Sequence, residues 1–197
     1  MSKIRLFLQQ ATEVVGGEKE GLLILTDAYQ ERQLVVPCEG RLLEEFKSRL
    51  DKHQYHLGLI DILLDVIDNQ ASLSLSLLVT NVDKGSYRAV LNNNDTQKQI
   101  SIGGVEAVLL NKASNDKIPL YIDEALFLRQ STKFNMKADG VALPVNALPV
   151  SMLKKTLGKA VATENYELAS QLRDELKRRK EKGNRKATMS GNEYGFE

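Results

Sequence analysis

The chain has 197 residues, of which 42% are hydrophobic and 27% charged, which predicts a soluble globular protein with one domain and an appendage, or two small domains. No apolar run approaches the ~20 residues that a membrane-spanning helix needs, and the N-terminal residues lack the small-residue cleavage site of a secretory signal. Cys38 is the only cysteine, which excludes an intrachain disulfide and a thiolate metal cluster, so we expect a cytoplasmic protein.

The net charge of +1 is unevenly distributed. Residues 173–186 contain eight basic and three acidic residues, which leaves the rest of the chain mildly acidic. A basic segment of this kind can contact nucleic acid. Lysine and arginine near a helix C-terminus also complement the helix dipole, and this is the more frequent reason for such a segment. Nucleic acid is therefore retained as the less favoured partner.

The first third of the chain predicts strands and then two helices. Residues 3–15 alternate apolar and polar side chains up to a Gly-Gly pair, which is typical of a strand followed by a turn. Residues 21–28 and 32–38 are rich in aliphatic side chains and predict a β-hairpin. Apolar side chains at helical spacing predict helices over residues 40–50 and 57–69.

The middle third changes to a period of two residues. Residues 71–82 alternate leucine and serine, which predicts a half-buried strand, and residues 86–92 are its partner after a turn. Residues 97–103 predict a third strand that leads into a short helix over 104–114. This strand-to-helix pattern also occurs over 33–46, which is compatible with a duplicated β–α unit.

The remaining elements complete an α+β fold with a mixed sheet and a few packed helices. Residues 117–123 predict a strand that either lies at a sheet edge or begins near its proline. Residues 124–130 predict a short helix, and the two prolines within 138–150 predict a linker.

Residues 151–182 predict an antiparallel helical hairpin with its turn near residues 163–165. Ser151 is the expected N-cap of the first helix. Each helix has only ~3–4 turns, so the two must pack on each other to be stable. The charges from Arg173 to Lys186 are expected to point outward, while five side chains close the pair: Leu153, Leu157, Tyr166, Leu172 and Leu176.

The second helix carries Tyr166-Glu167, Ala169-Ser170, Leu172-Arg173-Asp174 and Leu176. This spacing resembles the UvrB/UvrC (UVR) motif over residues 151–180. In families that carry the motif the hairpin usually mediates protein–protein contact, often with another copy of itself. The resemblance implies a protein partner or a second copy of the chain, with five partner-binding residues: Tyr166, Glu167, Leu172, Arg173 and Asp174.

Two short patterns lie within residues 3–129: Gly85-x-Tyr87-x-Ala89 and Pro119-Leu120-Tyr121. Together with the order of the elements, they resemble the bifunctional nuclease (BFN) domain family, which is sometimes followed by a UVR motif. The resemblance implies a nuclease that hydrolyses DNA or RNA phosphodiester bonds with a divalent metal, Mg²⁺ or Mn²⁺.

The chain departs from the family where the chemistry would reside. Ile60 stands before Asp61 where the family has a histidine, and Ser101 and Gly103 replace an Asp and an Arg. Asp61 and Glu106 keep carboxylates at matching positions and are therefore the catalytic candidates. Phosphodiester hydrolysis needs carboxylates that hold a metal, or a histidine base, and a cation that stabilises the developing charge. The missing groups predict weakened or absent nuclease activity.

Three other features are weaker candidates. His53 and His56 lie near Asp61, but no third or fourth metal ligand has suitable spacing. Gly103-Gly104 before a helix can bind an anion through backbone N–H groups or simply form a tight turn. Cys38 lies in a predicted strand and is expected to be a small buried hydrophobic residue.

The predicted organisation is a BFN-like α+β domain over residues 1–130, a linker over 131–150, a UVR-type hairpin over 151–182 and a flexible tail over 183–197. The favoured function is an interaction or regulatory module with weak or absent hydrolysis, and the alternative is an active metal-dependent nuclease. We expect self-association, because an exposed strand edge and a short hairpin both gain from a second copy. We expect no membrane contact, because the sequence has no apolar run long enough to span a bilayer.

Overall fold

A computed structural model describes residues 2–14, 20–51, 58–70, 73–134 and 144–190, with the backbone alone for residues 70 and 182–190. The candidate ligands His53 and His56, the predicted Gly-Gly turn after residue 15 and part of the predicted linker and tail lie outside these residues.

The chain folds into nine strands and six α-helices over the described residues. The strands are Lys3–Arg5 (β1), Phe7–Glu13 (β2), Glu20–Thr26 (β3), Arg32–Glu39 (β4), Leu75–Asp83 (β5), Ser86–Asn93 (β6), Gln99–Gly103 (β7), Leu120–Asp123 (β8) and Thr132–Lys133 (β9). The helices are Gly40–Leu50 (α1), Leu59–Gln70 (α2), Gly104–Ala113 (α3), Glu124–Gln130 (α4), Val150–Ala162 (α5) and Tyr166–Ser190 (α6).

The strands form two sheets, which confirms the predicted α+β class. The first sheet is mixed and has the order β1-β8-β5-β6-β7, with β5 and β8 parallel. The second is antiparallel and has the order β2-β3-β4-β9. Apolar side chains from both sheets and from α1, α3 and α4 form one core. Its largest fully buried members include Phe46 and Phe127.

Each sheet contains the same supersecondary unit. The meander β2-β3-β4 runs directly into α1, and the meander β5-β6-β7 runs directly into α3. The first strand of each meander has a register irregularity, between Leu8 and Gln10 in β2 and between Val79 and Asn81 in β5. The recurring strand-to-helix pattern in the sequence therefore corresponds to the same step in two βββα units.

The structure corrects the placement of one predicted strand and decides between the two alternatives for another. The segment 3–15 was predicted as one strand, but β1 and β2 lie in different sheets and the chain crosses between them at the buried Leu6. Strand β8 begins at Leu120, after Pro119, and lies between β1 and β5 rather than at an edge. The proline therefore marks a strand start, because its missing N–H is not needed there.

The described residues of the predicted linker include a strand and a short 3-10 helix. Strand β9 pairs with Arg32 and Gln33 of β4. Residues Val145–Ala147 form a short 3-10 helix, and Ala147 and Leu148 are buried. The backbone of α6 continues to Ser190, beyond residue 183 where a tail was predicted.

No helix in the described part of the chain is both long and apolar enough to cross a membrane.

Candidate interaction hairpin and the cavities of the body

Helices α5 and α6 form the predicted antiparallel hairpin. The turn closes through Asn165, whose backbone N–H donates to the carbonyl of Ala160 at 2.8 Å. Its side-chain oxygen accepts a hydrogen bond from the N–H of Leu168, so Asn165 caps the start of α6. Ser151 is not the N-cap of α5, which begins after Pro149. The Ser151 hydroxyl instead donates to the Glu20 carboxylate at 2.6 Å.

The apolar face of the hairpin packs on the outer face of the four-stranded sheet. Leu22 of β3 and Val35 of β4 contact this face, together with Leu148. The buried residues that the two helices contribute to this contact are Met152, Leu153, Ala160, Ala169 and Leu172. We call these five residues, together with the three that they pack against, the hairpin cluster. The hairpin is therefore docked on its own body through the surface that an isolated amphipathic hairpin would offer to a partner.

Tyr166 does not close the helix pair as predicted. Its side chain is 68% exposed. It is the first residue of α6 and follows the turn directly, after α5 has ended at Ala162. Beyond that point no further turn of α5 faces it, so the ring projects into solvent.

Arg179 corrects the prediction that the charges of α6 all point outward. Its guanidinium donates from Nε to the Glu175 carboxylate at 2.7 Å and from Nη1 to the carbonyl of Leu148 at 2.7 Å. Further donations reach the carbonyls of Lys84 and Asn146. The side chains of Arg179 and Glu175 are only 7% and 9% exposed. A buried guanidinium is stable when its donors are satisfied, as they are here, so this residue anchors α6 to the body.

Gly85 makes the docking of Arg179 possible. It has a φ of +85°, in the left-handed region that favours glycine. A Cβ at this position would collide with the Leu148 carbonyl and the Arg179 guanidinium. In the Gly85-x-Tyr87-x-Ala89 pattern the glycine thus leaves the space that Arg179 occupies, while Tyr87 and Ala89 are buried in the core.

The remaining surface of the hairpin is exposed. We define the outer face as Val161, Tyr166, Glu167, Arg173 and Asp174, all of which are exposed. The Arg173 and Asp174 side chains are 3.8 Å apart and mostly exposed, so they do not neutralise each other strongly. Of the five predicted partner-binding residues, four lie on this outer face, whereas Leu172 is fully buried against the body.

Asp61 is held in a partly buried ion pair at the start of α2. Its two oxygens accept from Nη1 and Nη2 of Arg49 at 2.7 and 2.9 Å. The Gly58 N–H also donates to it at 2.9 Å. The Arg49 side chain is 4% exposed, and its hydrogen bond to Asp61 raises the pKa of Arg49. A bidentate pair of this geometry occupies the oxygens that would otherwise face a metal ion.

Glu106 lies elsewhere. It is exposed in the first turn of α3 and borders a cavity of about 550 Å³, together with Glu39, Arg88 and Ser151. Asp61 borders a different cavity, of about 300 Å³. Among the described residues, no three His, Cys, Asp or Glu side chains are grouped to hold a metal ion. Asp61 and Glu106 are therefore not brought together, and the residues in place do not fit a shared Mg²⁺ or Mn²⁺ site.

The two remaining candidates have structural explanations. The carboxylate of Glu106 covers Gly103, in the space that a Cβ there would need. The N-terminus of α3 is therefore next to a carboxylate of the same helix, which disfavours the binding of an anion there. Gly104 packs against Tyr87 so closely that a side chain would not fit. Cys38 is buried, as predicted, and burial raises the pKa of its thiol to about 11, with a smaller contribution from Glu39.

Comparison with known protein families supports the assignment of the hairpin. Residues 150–182 match the model of the UvrB/uvrC (UVR) motif. A search of curated proteins finds no match to the chain. The UVR resemblance predicted from the sequence is thus confirmed, and the motif is typical of a protein-interaction hairpin. Neither comparison names the BFN family, so the resemblance of the body to that family stays a prediction.

Proposed function

We propose that this protein is an interaction module, in which a BFN-like body holds a UVR hairpin in a fixed orientation and presents its outer face to a protein partner. The observation that carries the proposal is the match of residues 150–182 to the UVR motif, combined with the docking of the apolar hairpin face on the body. A partner then binds the outer face, because the inner face is already occupied.

The composition of the outer face supports this role. Tyr166 and Val161 flank the turn and are 68% and 55% exposed. Tyrosine and arginine, here Tyr166 and Arg173, are among the residue types that dominate the binding energy at protein interfaces. Because the body fixes the hairpin, little conformational entropy is lost on binding.

The proposal can be tested by quantitative affinity capture. The bait is the full chain, and the comparison is a variant with Tyr166→Ala, Arg173→Ala and Asp174→Ala. The matched control is Leu128→Ala, since Leu128 is 56% exposed on α4, which packs against β1 and β8. We expect at least ~10-fold less of a specific protein to be retained by the triple variant than by the control. Equal retention by all three baits would contradict the proposal.

We further propose that hydrolysis by the body is weak or absent. In support, both Asp61 oxygens accept hydrogen bonds from Arg49, Gly58 donates a third, and Glu106 borders another cavity. The test is an assay with single- and double-stranded DNA and RNA in Mg²⁺ or Mn²⁺, with Asp61→Asn and Glu106→Gln as controls. We expect equal, background cleavage in all three proteins. Metal-dependent cleavage that both substitutions abolish would establish the alternative, an active nuclease.

A further inference from the structure

One face of the five-stranded sheet is not covered by any element in the described part of the chain. On the other face, Leu120 and Ile122 of β8 are fully buried in the core, together with side chains of the neighbouring strands. Helices α3 and α4 contribute to that same core, so they do not shield the opposite side. Successive side chains of a strand point to opposite faces. We define the outer sheet face by the exposed or half-buried residues that alternate with the core positions: Lys3, Arg5, Leu78, Thr80, Arg88, Val90, Ser101 and Tyr121.

A row of paired residues crosses the outer sheet face through all five strands. In the order of the sheet, the row consists of Arg5, Tyr121, Leu78, Val90 and Ser101. The three central residues of the row are aromatic or aliphatic and half-buried, and we call them the apolar strip. The solvated side of a sheet normally carries polar residues, so an apolar strip at its centre indicates a surface that contacts a ligand.

Basic residues lie at both ends of the apolar strip. Lys3 and Arg5 are exposed on β1, and Arg88 is exposed on β6. None of the ion pairs between described side chains includes any of these three residues. Their charges are therefore available to an anionic ligand.

The positive charge is largest at the β1 end of the outer sheet face. Arg88 borders the same cavity as Glu39 and Glu106, so nearby carboxylates reduce its field. At the β1 end, Asp123 lies opposite Lys3 in the strand register. The Asp123 carboxylate accepts a hydrogen bond from a backbone N–H of α4 at 3.0 Å, so it serves as the N-cap of that helix. Two cations thus face one carboxylate that is already hydrogen-bonded.

Two contacts between a cation and an aromatic ring lie at the same end. Nζ of Lys3 is 4.3 Å from the centroid of the Tyr121 ring, and Cζ of Arg5 is 5.1 Å from the centroid of the Phe7 ring. Because Lys3 is exposed, its position over the ring shows that a flat face of Tyr121 is directed to solvent. A planar ligand group can replace the ammonium group there, and the displaced ammonium group can then bind an anion.

A single-stranded nucleic acid supplies both of these groups. Its bases stack on aromatic side chains, and its phosphates bind lysine and arginine. With a spacing of ~4.8 Å between strands, β1 and β6 are about 14 Å apart. One strand can therefore contact Arg5 and Arg88 while its bases lie on the apolar strip. A protein partner fits less well, because a stable protein interface buries ~800 Å² per partner around an apolar core, which three half-buried side chains do not supply.

We propose that the outer sheet face binds single-stranded nucleic acid, with a base stacked on Tyr121 and phosphates bound by Lys3 and Arg5. Arg88 contacts the same strand at the far end of the apolar strip. The inference is independent of the proposed role of the hairpin, because the hairpin packs on the four-stranded sheet. DNA and RNA offer the same stacking and phosphate chemistry, so the test includes both.

The first measurement is the fluorescence anisotropy of a labelled single strand of about 20 nucleotides, as DNA and as RNA, titrated with the full chain. The salt concentration is varied from about 50 to 200 mM. We expect a dissociation constant on the order of 1–100 µM. Duplex DNA of the same sequence should bind at least ~5-fold more weakly, because its bases are not free to stack on a side chain. Tighter binding of either DNA or RNA supports the proposal and identifies the preferred strand.

The stacking contact is tested by Tyr121→Leu, which keeps an apolar side chain but removes the ring. This variant should bind the single strand at least ~5-fold more weakly, with unchanged salt dependence. The matched control is Tyr29→Leu, since Tyr29 is 86% exposed at the turn between β3 and β4, and it should bind like the wild type. Full affinity of Tyr121→Leu would overturn the proposal, and so would equal binding of single strand and duplex.

The phosphate contacts are tested by Lys3→Gln with Arg5→Gln. Both side chains are exposed, so this variant remains decisive if Tyr121→Leu fails to fold. The slope of log affinity against log salt should fall by about 1.4, since each phosphate contact of a single strand contributes about 0.7. The matched control, Lys177→Gln with Lys180→Gln, removes the same charge from the exposed side of α6 and should change the affinity by less than about twofold.

Three further results would contradict the proposal. The first is a wild type that does not bind the oligonucleotides at about 50 mM salt. The second is a loss of binding in the α6 variant rather than in the β1 variant, which would assign the contact to the basic helix. The third is competition by polyglutamate as effective as that by an oligonucleotide of equal charge, which would assign the face to an acidic protein.

Discussion

Two buried arginines join the secondary elements of this protein, and they do so differently. Arg49 links α1 to α2 through the carboxylate of Asp61, with Glu45 as a second acceptor. Arg179 links α6 to the body mainly through backbone carbonyls, with Glu175 as its carboxylate partner. Their side chains are 4% and 7% exposed.

The difference explains what each region can offer to other molecules. At the α1–α2 junction the arginine binds the carboxylate of the catalytic candidate Asp61, while the apolar outer side of α2 remains exposed to solvent. At the hairpin junction the arginine and an apolar layer together fix the helices, while the outer side remains polar with an exposed tyrosine. The first region therefore leaves an apolar surface exposed, and the second leaves a polar one.

The largest effect is expected from removing the hairpin anchor. Arg179→Ala leaves the buried Glu175 carboxylate with the exposed Arg178 as its one remaining arginine partner, and it removes the donor to several carbonyls. We expect the free energy of unfolding to fall by about 3–5 kcal/mol. The matched control is Arg178→Ala, since this neighbour also contacts Glu175 but is 55% exposed, and it is expected to lower stability by less than about 1 kcal/mol. Chemical denaturation measures both, and equal effects would show that Arg179 is no anchor.

Substitutions on the inner and outer faces of the hairpin should differ almost as strongly in their effect on the free energy of unfolding. Leu172→Ala removes a fully buried side chain from the hairpin cluster and should lower the free energy of unfolding by about 3 kcal/mol. Tyr166→Ala removes a ring that is 68% exposed and should change it by less than about 0.5 kcal/mol. Thermal and urea unfolding of the two variants test the assignment of inner and outer faces. A destabilising Tyr166→Ala would contradict it.

A smaller loss is expected at the α1–α2 junction. Asp61→Asn removes the negative charge from Arg49, but Glu45 stays as a second acceptor for the guanidinium. We expect the free energy of unfolding to fall by about 2 kcal/mol. A carboxylate kept for catalysis rather than for structure behaves in the opposite way, because its replacement commonly stabilises the fold. Unchanged or increased stability of Asp61→Asn would therefore favour the nuclease alternative.

The smallest effect concerns Cys38 of β4, whose side chain faces the core of the body on the sheet that carries the hairpin. Its pKa is raised from 9.0 to about 11, so at a given pH less of the folded protein carries a thiolate than of the unfolded chain. At pH 8 we expect the folded protein to react with a disulfide reagent at least ~10-fold more slowly than the urea-unfolded protein. The rate for the folded state should keep rising above pH 9. A plateau near pH 9 would mean that the thiol is not buried.

Much of the fold follows from the periodicity of the sequence. The strand over 75–83 and the helices α1 and α2 arise from apolar side chains at periods of two and 3.6 residues, and these periods are local properties. The passage of the chain from one sheet to the other at Leu6 has no such local signal, because β1 and β2 read as one alternating segment. Strand partners are decided by contacts distant in sequence.

The candidate site was predictable only in part. The residues from Tyr166 to Leu176 predict the UVR motif, but they do not predict the role of Arg179, because a basic residue near a helix end is usually solvated. Its position gave a signal: Arg179 lies seven residues after Leu172, with Glu175 between them, on the buried stripe. Asp61 matched a family pattern, yet its ion pair depends on Arg49 from another helix, which spacing alone does not show.

Amide hydrogen exchange across α5 and α6 in the full chain tests the central claim most directly. If the hairpin is docked on the body, the amides of residues 168–180 exchange as slowly as those of β3 and β4, and Arg179→Ala accelerates them while β3 and β4 stay protected. If instead these helices exchange within seconds while the sheets are protected in the wild type, the hairpin moves independently of the body and the account is contradicted.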